Sequence, residues 1–361
     1  MRIIQLLPTL SSGDAVGNEA LAIDRAIRKK GIETAIYAEN IDRRLPAGTA
    51  QPYDRFPKLS PEDIILYHAS TGTRLNYEFP ELGGRKVMIY HNITPPEYFR
   101  PYSSSAEALC RDGYEGVRFL RDKVEYVIAV SGFNRQELRN MGYCCPIDVC
   151  PILIPFADYQ KADNRKLIRK YRADGYTNLL FLGRIAPNKK QEDVILAYAY
   201  YKRYLNPRSR LFLVGSWNGM ETYVQRLQDY VKLLGLEDVV FTGSVPFADI
   251  LAYYRIADCF VCMSEHEGFC VPLAEAMFFR VPIVAYACCA IPETLGGGGL
   301  LLPEKDAKHT ALAIHRVLTD LPLRESLQQA QQRRISQLRY DVVMPHFEQL
   351  LRSFMEGGRG E

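Results

Sequence analysis

Strand-like apolar runs alternate with helical patterns from one end of this 361-residue sequence to the other, and this alternation restricts the fold more than any other feature. It predicts strands near residues 2–8, 33–38, 64–68, 86–91, 126–131, 147–153, 178–183, 210–215, 239–243, 259–263, 282–286 and 299–302. Helices are predicted between them, for example near residues 17–30, 190–204, 220–234 and 246–256. Repeated strand–helix–strand units form parallel sheets with helices on both faces. The sequence therefore predicts an α/β protein, and its length is sufficient for two such sheets.

The alternation is interrupted around Pro151–Ala162, where prolines and a charged segment follow one another. We expect a first domain at 1–155 and a second domain at 156–340. A last helix at 341–357 carries an apolar stripe suited to packing on a neighbouring surface. The stripe consists of Val343, Phe347, Leu350, Leu351 and Phe354. The end of the chain, Gly357–Glu361, is predicted to be disordered.

Composition excludes several classes of protein. A net charge of +3 is too small to indicate nucleic acid as a partner. No apolar run approaches the length that spans a membrane, and the start of the chain reads as a strand rather than a signal peptide. The nine cysteines lack a disulfide or metal-binding spacing, which predicts free thiols and no metal site. We expect a cytoplasmic protein, with peripheral contact at the inner face of the membrane as a further option.

The first chemical motif is a pair of carboxylates on either side of a strand-to-helix turn. The buried strand near 259–263 leads into a loop with Glu267 and Gly268, and Pro272 opens a helix that carries Glu275. Loops at the carboxyl ends of strands are where open α/β sheets bind ligands. The free N–H groups at the start of the helix suit a phosphate.

A second motif places two cations at the end of another strand. Gly183 ends the strand near 178–183, and Arg184 and Lys189 flank the Pro187 turn that follows. A planar guanidinium and an ammonium together suit a diphosphate. A solvated basic loop is the alternative interpretation.

The spacings Gly183-Arg184-x4-Lys189 and Glu267-x7-Glu275 resemble those of retaining nucleotide-sugar glycosyltransferases of the GT-B fold, in particular glycosyltransferase family four (glycosyl transferases group 1). The resemblance covers most of the chain and is strongest over residues 178–300. It implies two Rossmann-like doubly wound parallel-sheet domains that face a central cleft, with the C-terminal helix crossing back to the first domain. It also implies that the second domain binds the nucleotide sugar and the first domain the acceptor.

The resemblance assigns roles to matching residues. Arg184 and Lys189 would neutralise the departing phosphate, Glu267 would hold sugar hydroxyls, and Glu275 would bind the ribose. The residues implied to bind the donor are Gly13, Gly183, Gly215, Val245, Gly268, Phe269, Cys270 and Glu275. Cys270 and Arg280 depart from the family pattern, because relatives often have glycine at both positions.

Three further residues follow strands of the first domain. His91 matches a family histidine that touches the transferred sugar or shapes the reaction centre, and we count it with the catalytic residues. Asp14 would be repelled by phosphate, so we expect it on the acceptor side. Ser131 resembles a turn residue of the family and is also expected on the acceptor side.

The expected reaction moves a hexose from GDP-mannose or a UDP-hexose to a hydroxyl of a sugar or a lipid-linked saccharide, with retention and with neither metal nor cofactor. The leaving phosphate would accept the proton of the acceptor, and the context would be bacterial polysaccharide assembly by a monomer or homodimer. Two alternatives stay open. One is a nucleotide-sugar 2-epimerase, and the other is a sugar-nucleotide-binding subunit whose catalytic activity has lapsed.

Overall fold

The computed structural model describes residues 1–11 and 13–357, so the prediction for residues 358–361 lies outside the described part. The chain folds into two compact units. The first comprises Met1–Pro96, Glu107–Pro155 and Leu338 to the C-terminus, and the second comprises Glu97–Ala106 and Phe156–Gln337.

The first unit is built on a seven-stranded sheet in which every neighbouring pair is parallel. Its strands are β1 (Ile3–Leu10), β2 (Thr34–Ile41), β3 (Gln51–Pro52), β4 (Ile64–Ala69), β5 (Arg85–Tyr90), β6 (Tyr126–Ala129) and β7 (Ile147–Val149). Their order in the sheet is β3-β2-β1-β4-β5-β6-β7. The sequence did not predict β3, because it is two residues long and contains a proline, which cannot donate to a ladder and is confined to sheet edges.

Both faces of this sheet are buried, as the near-continuous apolar strands require. In β4, Ile65 and Tyr67 enter one core, while Ile64 and Leu66 enter the core on the opposite face. The alternation follows from the two-residue period of a strand. The α-helices of the first unit are α1 (Ala15–Lys29), α2 (Leu75–Glu78), α3 (Ser104–Phe119), α4 (Gly132–Asn140) and the last helix, Tyr340–Gly357. Of α3, only the part from Glu107 onward belongs to this unit.

The last helix packs on the first unit, as expected from the fold. Its apolar stripe is buried around Val343, Phe347 and Leu351 in the core that also holds Ile23. At the end of the stripe, the guanidinium of Arg85 lies 3.9 Å from the centre of the Phe354 ring.

The second unit has a six-stranded parallel sheet. Its strands are β8 (Thr177–Leu182), β9 (Ser209–Val214), β10 (Val239–Gly243), β11 (Cys259–Cys262), β12 (Ile283–Tyr286) and β13 (Leu300–Leu302). Their order is β10-β9-β8-β11-β12-β13. Its helices are α5 (Arg165–Arg172), α6 (Gln191–Tyr204), α7 (Glu221–Leu233), α8 (Phe247–Ile256), α9 (Val271–Phe278), α10 (Ile291–Leu295), α11 (Ala307–Thr319) and α12 (Leu321–Leu338), and the last helix of the chain is therefore α13. No helix within residues 1–11 and 13–357 is long and apolar enough to cross a membrane.

The structure differs from the predicted domain boundaries at residues 338–340, which it assigns to the first unit, and in one longer segment. The sequence assigned residues 97–106 to the first domain, whereas the structure groups Glu97–Ala106 with the second unit. Aromatic contacts explain the difference, because the rings of Tyr102 and Tyr223 lie 5.0 Å apart and the ammonium of Lys190 lies 5.8 Å from the centre of the Tyr98 ring. These partners are distant in sequence, so no local pattern could indicate them.

Replacing Phe347 with alanine should destabilise the first unit by about 3–5 kcal/mol, since the ring is buried in its core. Chemical denaturation followed by circular dichroism would measure the change. Val342→Ala on the exposed side of α13 is the matched control and should shift the free energy of unfolding by less than about 0.5 kcal/mol. Equal effects of the two substitutions would contradict the packing described for α13.

Candidate active site

The predicted residues of the second unit follow four strands that are neighbours in its sheet, in the order β10-β9-β8-β11. Because these strands are parallel, their carboxyl ends lie at one edge. The residues that follow them are Val245 after β10, Gly215 after β9, Gly183, Arg184 and Lys189 after β8, and Glu267, Gly268, Phe269, Cys270 and Glu275 after β11. The fold thus brings the donor-side predictions of this unit to one side of a sheet, where doubly wound folds bind ligands.

Two glycines let the ends of β8 and β9 approach closely. Gly183 and Gly215 have φ angles of 146° and 150°, which other residues rarely adopt. A Cβ atom at Gly215 would lie 1.9 Å from the carbonyl oxygen of Gly183, so a side chain cannot be accommodated there. The requirement for glycine at this position is therefore steric as well as conformational.

A partly buried ion pair joins the loops after β8 and β11. The ammonium of Lys189 lies 2.7 Å from Oε2 of Glu267, whose side chain is buried. Asn188 supports the pair, because its side-chain amide donates to the carbonyl of His266 and its own carbonyl accepts from the N–H of Glu265. Burial opposes the charged form of Lys189, but the negative groups around it, chiefly the carboxylate of Glu267, together outweigh burial and raise the pKa of Lys189 above its ordinary value. Lys189 is therefore a cation at neutral pH.

Arg184 is exposed at the same edge. Its guanidinium makes one long contact, 3.4 Å, with the carbonyl oxygen of Asn218. Most of its donors therefore remain available to an anionic ligand, whereas Lys189 is already engaged with Glu267.

The two residues that depart from the family pattern lie just before and just after α9. Cys270 directly precedes the helix with φ at 70°, and Arg280 beyond its end has φ at 57°. Both angles lie in the left-handed region that favours glycine. Cys270 makes no capping hydrogen bond through its side chain, so the first N–H groups of α9 have no side-chain cap from that residue.

The thiols at this turn belong to a cluster with metal-ligating atoms. Atoms of Cys262, Glu267 and Cys270 lie within 4.8 Å of one another. The ammonium of Lys189 already neutralises Glu267, and its charge opposes a cation at the same place. The expectation that the protein needs no metal stays a prediction.

Glu275 is held by two tyrosines that the sequence did not indicate. The hydroxyl of Tyr159 donates to Oε1 at 2.7 Å, and the hydroxyl of Tyr254 donates to Oε2 at 2.6 Å. Burial raises the pKa of Glu275, and the two hydroxyls partly oppose this by stabilising the carboxylate. Each carboxylate oxygen can accept a further bond, so the predicted ribose contact stays chemically possible.

In the first unit, two predicted acceptor-side residues are helix caps. The carboxylate of Asp14 accepts from the N–H groups of Val16 and Gly17 at the start of α1. The hydroxyl of Ser131 accepts from the N–H of Asn134 at the start of α4. Gly13, just before α1, is exposed with φ at 82°. The structure therefore gives Asp14 and Ser131 a local structural role, and their acceptor role stays a prediction.

His91 belongs to a buried polar cluster of the first unit. Its Nε2 lies 3.0 Å from Nδ1 of His68 and 3.5 Å from Oε2 of Glu19. His68 contacts Gln5 through its other ring nitrogen. Burial raises the pKa of Glu19 to about 8, lowers that of His91 to about 3 and also lowers that of His68, so burial favours the neutral form of each group.

The sequence contained a signal for part of this cluster. Gln5 and His68 are polar residues inside strands that are otherwise apolar, and buried polar groups require partners. No comparable signal existed for Tyr159 or Tyr254, because their contacts with Glu275 join positions more than twenty residues apart.

The fold matches that of solved structures over nearly the whole chain. Sucrose-phosphate synthase from Thermosynechococcus elongatus superposes with a TM-score of 0.76 over 99% of this chain and 100% of that chain, at 18% identity. Anabaena HepE, solved in complex with UDP-glucose, superposes with a TM-score of 0.74 over 98% and 100%, at 20% identity. The architecture is therefore GT-B.

The sequence comparison gives the family. Residues 163–334 match the family model described as glycosyl transferases group 1, a stretch within the second unit. The match covers just under half of the chain, and it places the second unit in the glycosyl transferases group 1 family.

Two curated relatives share part of the chain. O-antigen chain mannosyltransferase B of Escherichia coli is 28% identical over 268 residues, which are 72% of this chain and 67% of the relative. D-inositol 3-phosphate glycosyltransferase of Kineococcus radiotolerans is 32% identical over 236 residues, which are 60% of this chain and 54% of the relative. The second match thus spans only about half of that relative's length.

Replacing Glu19 with glutamine should change how the stability of the first unit depends on pH. The folded-state pKa of Glu19 is raised from 4.5 to about 8, so its contribution to stability is full below pH 4.5 and is lost as the pH rises toward 8. The nearby His68 and His91 have lowered pKa values and act in the opposite direction, but they are common to both proteins.

The difference in unfolding free energy between Glu19→Gln and wild type should therefore move in favour of the variant as the pH rises from 4.5 to 8. Urea denaturation at several pH values measures it. Glu325→Gln, at an exposed glutamate, is the matched control and should change this difference less than Glu19→Gln does. A flat difference for Glu19→Gln would show that this carboxyl ionises normally.

Proposed function

We propose that this protein is a retaining, metal-independent hexosyltransferase that uses GDP-mannose or a UDP-hexose as donor and a hydroxyl of a sugar or lipid-linked saccharide as acceptor. Bacterial polysaccharide assembly is the proposed context. The observation that carries the proposal is the joining of the two motif loops of the second unit by the Lys189–Glu267 ion pair. The E. coli relative is named an O-antigen chain mannosyltransferase, and HepE was solved with UDP-glucose, which supports this choice of donors.

The diphosphate of the donor would bind among cations and backbone donors. Arg184 offers free N–H groups at the sheet edge, and Lys189 lies on the neighbouring loop. The start of α9 adds N–H groups and the positive end of the helix dipole. Glu275, oriented by Tyr159 and Tyr254, would accept hydrogen bonds from the ribose hydroxyls.

The same cations would act in the chemical step. Negative charge grows on the leaving phosphate as the anomeric carbon–oxygen bond breaks, and fixed positive charges lower the energy of that state. The acceptor hydroxyl attacks the anomeric carbon, and its proton passes to the leaving phosphate. Glu267 would hold sugar hydroxyls while its own charge stays balanced by Lys189. No step in this scheme requires a metal ion.

Two other functions use parts of the same site. A nucleotide-sugar 2-epimerase would bind the same donor but would need acid and base groups around the sugar. A binding subunit would keep the donor contacts without turnover. We favour transfer over both, because Arg184 keeps most of its guanidinium donors available to a leaving phosphate.

Arg184→Ala should lower kcat/KM for sugar transfer by about 10- to 150-fold, because a charge-assisted hydrogen bond contributes about 1.5–3 kcal/mol. The side chain is exposed, so the variant should fold normally. Arg169→Ala on the exposed face of α5 is the matched control and should keep full activity. A radiolabelled transfer assay measures both, and unchanged turnover in Arg184→Ala would remove this residue from the mechanism.

Nucleotide binding should depend on Glu275 and on the tyrosines that hold it. Titration calorimetry with GDP and UDP should show at least tenfold weaker binding in Glu275→Gln and about 2- to 10-fold weaker binding in Tyr254→Phe. Tyr200→Phe, at an exposed tyrosine, should bind as the wild type does.

The donor itself can be identified in a thermal-shift screen of the wild type. GDP-mannose or a UDP-hexose should raise the melting temperature, while a dTDP-sugar should not. Stabilisation by the dTDP-sugar alone would refute the proposed donors.

A further inference from the structure

A chain of buried hydrogen bonds crosses the first unit from β1 to the end of β5. Gln5 lies in β1, His68 in β4 and His91 directly after β5. Nε2 of His68 lies 3.0 Å from Oε1 of Gln5, and Nδ1 of His68 lies 3.0 Å from Nε2 of His91. Gln5 and His68 are fully buried, and the side chain of His91 is nearly so. The direction of each hydrogen bond follows from one fixed acceptor.

That acceptor is the backbone carbonyl of Ala20. The side-chain nitrogen of Gln5 donates to it at 2.9 Å, and a reversed amide would place two acceptor oxygens against each other. The orientation of the Gln5 amide is therefore fixed, with its oxygen toward His68.

The orientation of Gln5 sets the protonation of both histidines. An amide oxygen only accepts, so Nε2 of His68 must carry a proton. Burial lowers the pKa of His68, so the ring is neutral and its Nδ1 is a lone pair. The contact with His91 then requires the proton to be on Nε2 of His91. Because His91 is also neutral, its Nδ1 is left as an acceptor.

This acceptor has no hydrogen-bond partner among the described residues, although it is buried. A buried polar atom without a partner is costly, and in native proteins such an atom is explained by strain, a catalytic role, or a bound water or ion. Oε2 of Glu19, beside the same ring, is also buried and lacks a hydrogen-bond partner. The ring of His91 therefore has an unsatisfied acceptor at Nδ1, and an unsatisfied carboxyl oxygen lies beside its other nitrogen.

We propose that Gln5 and His68 are positioning residues that hold His91 as the Nε2–H tautomer, so that Nδ1 of His91 accepts a hydrogen bond from a hydroxyl of the sugar substrate. The inference deepens the proposed function and rests on it for the identity of the ligand. The tautomer itself follows from the first unit alone.

The first test reads the tautomers directly in the ligand-free protein. Long-range proton–nitrogen NMR on the full chain with labelled histidine should show His68 and His91 as neutral Nε2–H forms, assigned with single variants. The Nδ1–H form at His91 would overturn the proposal whatever reaction the protein catalyses. Failure of the proposed function alone would leave these spectra unchanged.

The second test separates positioning from general support of the fold. His68→Asn places an amide oxygen near the position of Nδ1 and should keep the Nε2–H form of His91, whereas His68→Leu removes the acceptor. His68→Leu should lower kcat/KM about 2- to 10-fold and change the spectrum of His91, and His68→Asn should restore both. His309→Leu, at an exposed histidine, is the control and should change neither.

Equal losses in His68→Asn and His68→Leu, with an unchanged spectrum of His91, would overturn the positioning role. A metal ion would also overturn it, because atoms of Glu19, His68 and His91 lie within 4.8 Å of one another. Titration of the full chain with Co²⁺ should give no ligand-field absorption. Absorption that Glu19→Gln abolishes would assign the cluster to a metal instead of a hydrogen-bond chain.

Discussion

The ion pair between Lys189 and Glu267 is the interaction on which the candidate site depends. Removing two charges from water is expensive, and their attraction compensates only when the geometry is good and the remaining polar atoms are bonded. Here the N–O distance is 2.7 Å, and Asn188 links the two loops through both its side chain and its backbone. The pair forms because β8 and β11 are neighbours in the sheet, although they are far apart in sequence.

Backbone geometry at the same edge limits which side chains can occur there. Gly215 must lack a Cβ because the carbonyl of Gly183 lies against it. Cys270, Arg280 and Cys289 adopt positive φ angles without being glycine, and such conformations cost about 1–3 kcal/mol each. The cost falls on the loops after β11 and β12 and on the end of α9, next to the proposed donor-binding residues. Strain of this kind persists where the surrounding structure holds the backbone in place.

The polar residues of the two units stabilise their sites in different ways. In the second unit, charges neutralise each other, and Glu275 keeps its orientation through two tyrosine hydroxyls. In the first unit, burial favours the neutral forms of Glu19 and His91, and a chain of hydrogen bonds orients the ring of His91. The first arrangement suits a charged diphosphate, and the second suits uncharged hydroxyl groups.

Much of the fold could be predicted from local patterns. Apolar runs gave every strand except β3, and the stripe on α13 indicated a packing face. The motifs also located the loops that carry Arg184, Lys189 and Glu267. What could not be predicted were contacts between distant segments, such as those of Tyr159 and Tyr254 with Glu275 or of Tyr102 with Tyr223. Side chains of this kind look like ordinary core aromatics in the sequence.

The sequence by itself therefore determined the α/β class, the positions of the strands and the residue types at the strand ends, because periodicity and glycine or proline placement act locally. The tertiary structure decided which of these residues meet, since the order of strands in a sheet is set by packing over the whole unit. It also decided their protonation. The neutral state of Glu19 and the tautomer of His91 follow from burial and from partners that only the folded chain brings together.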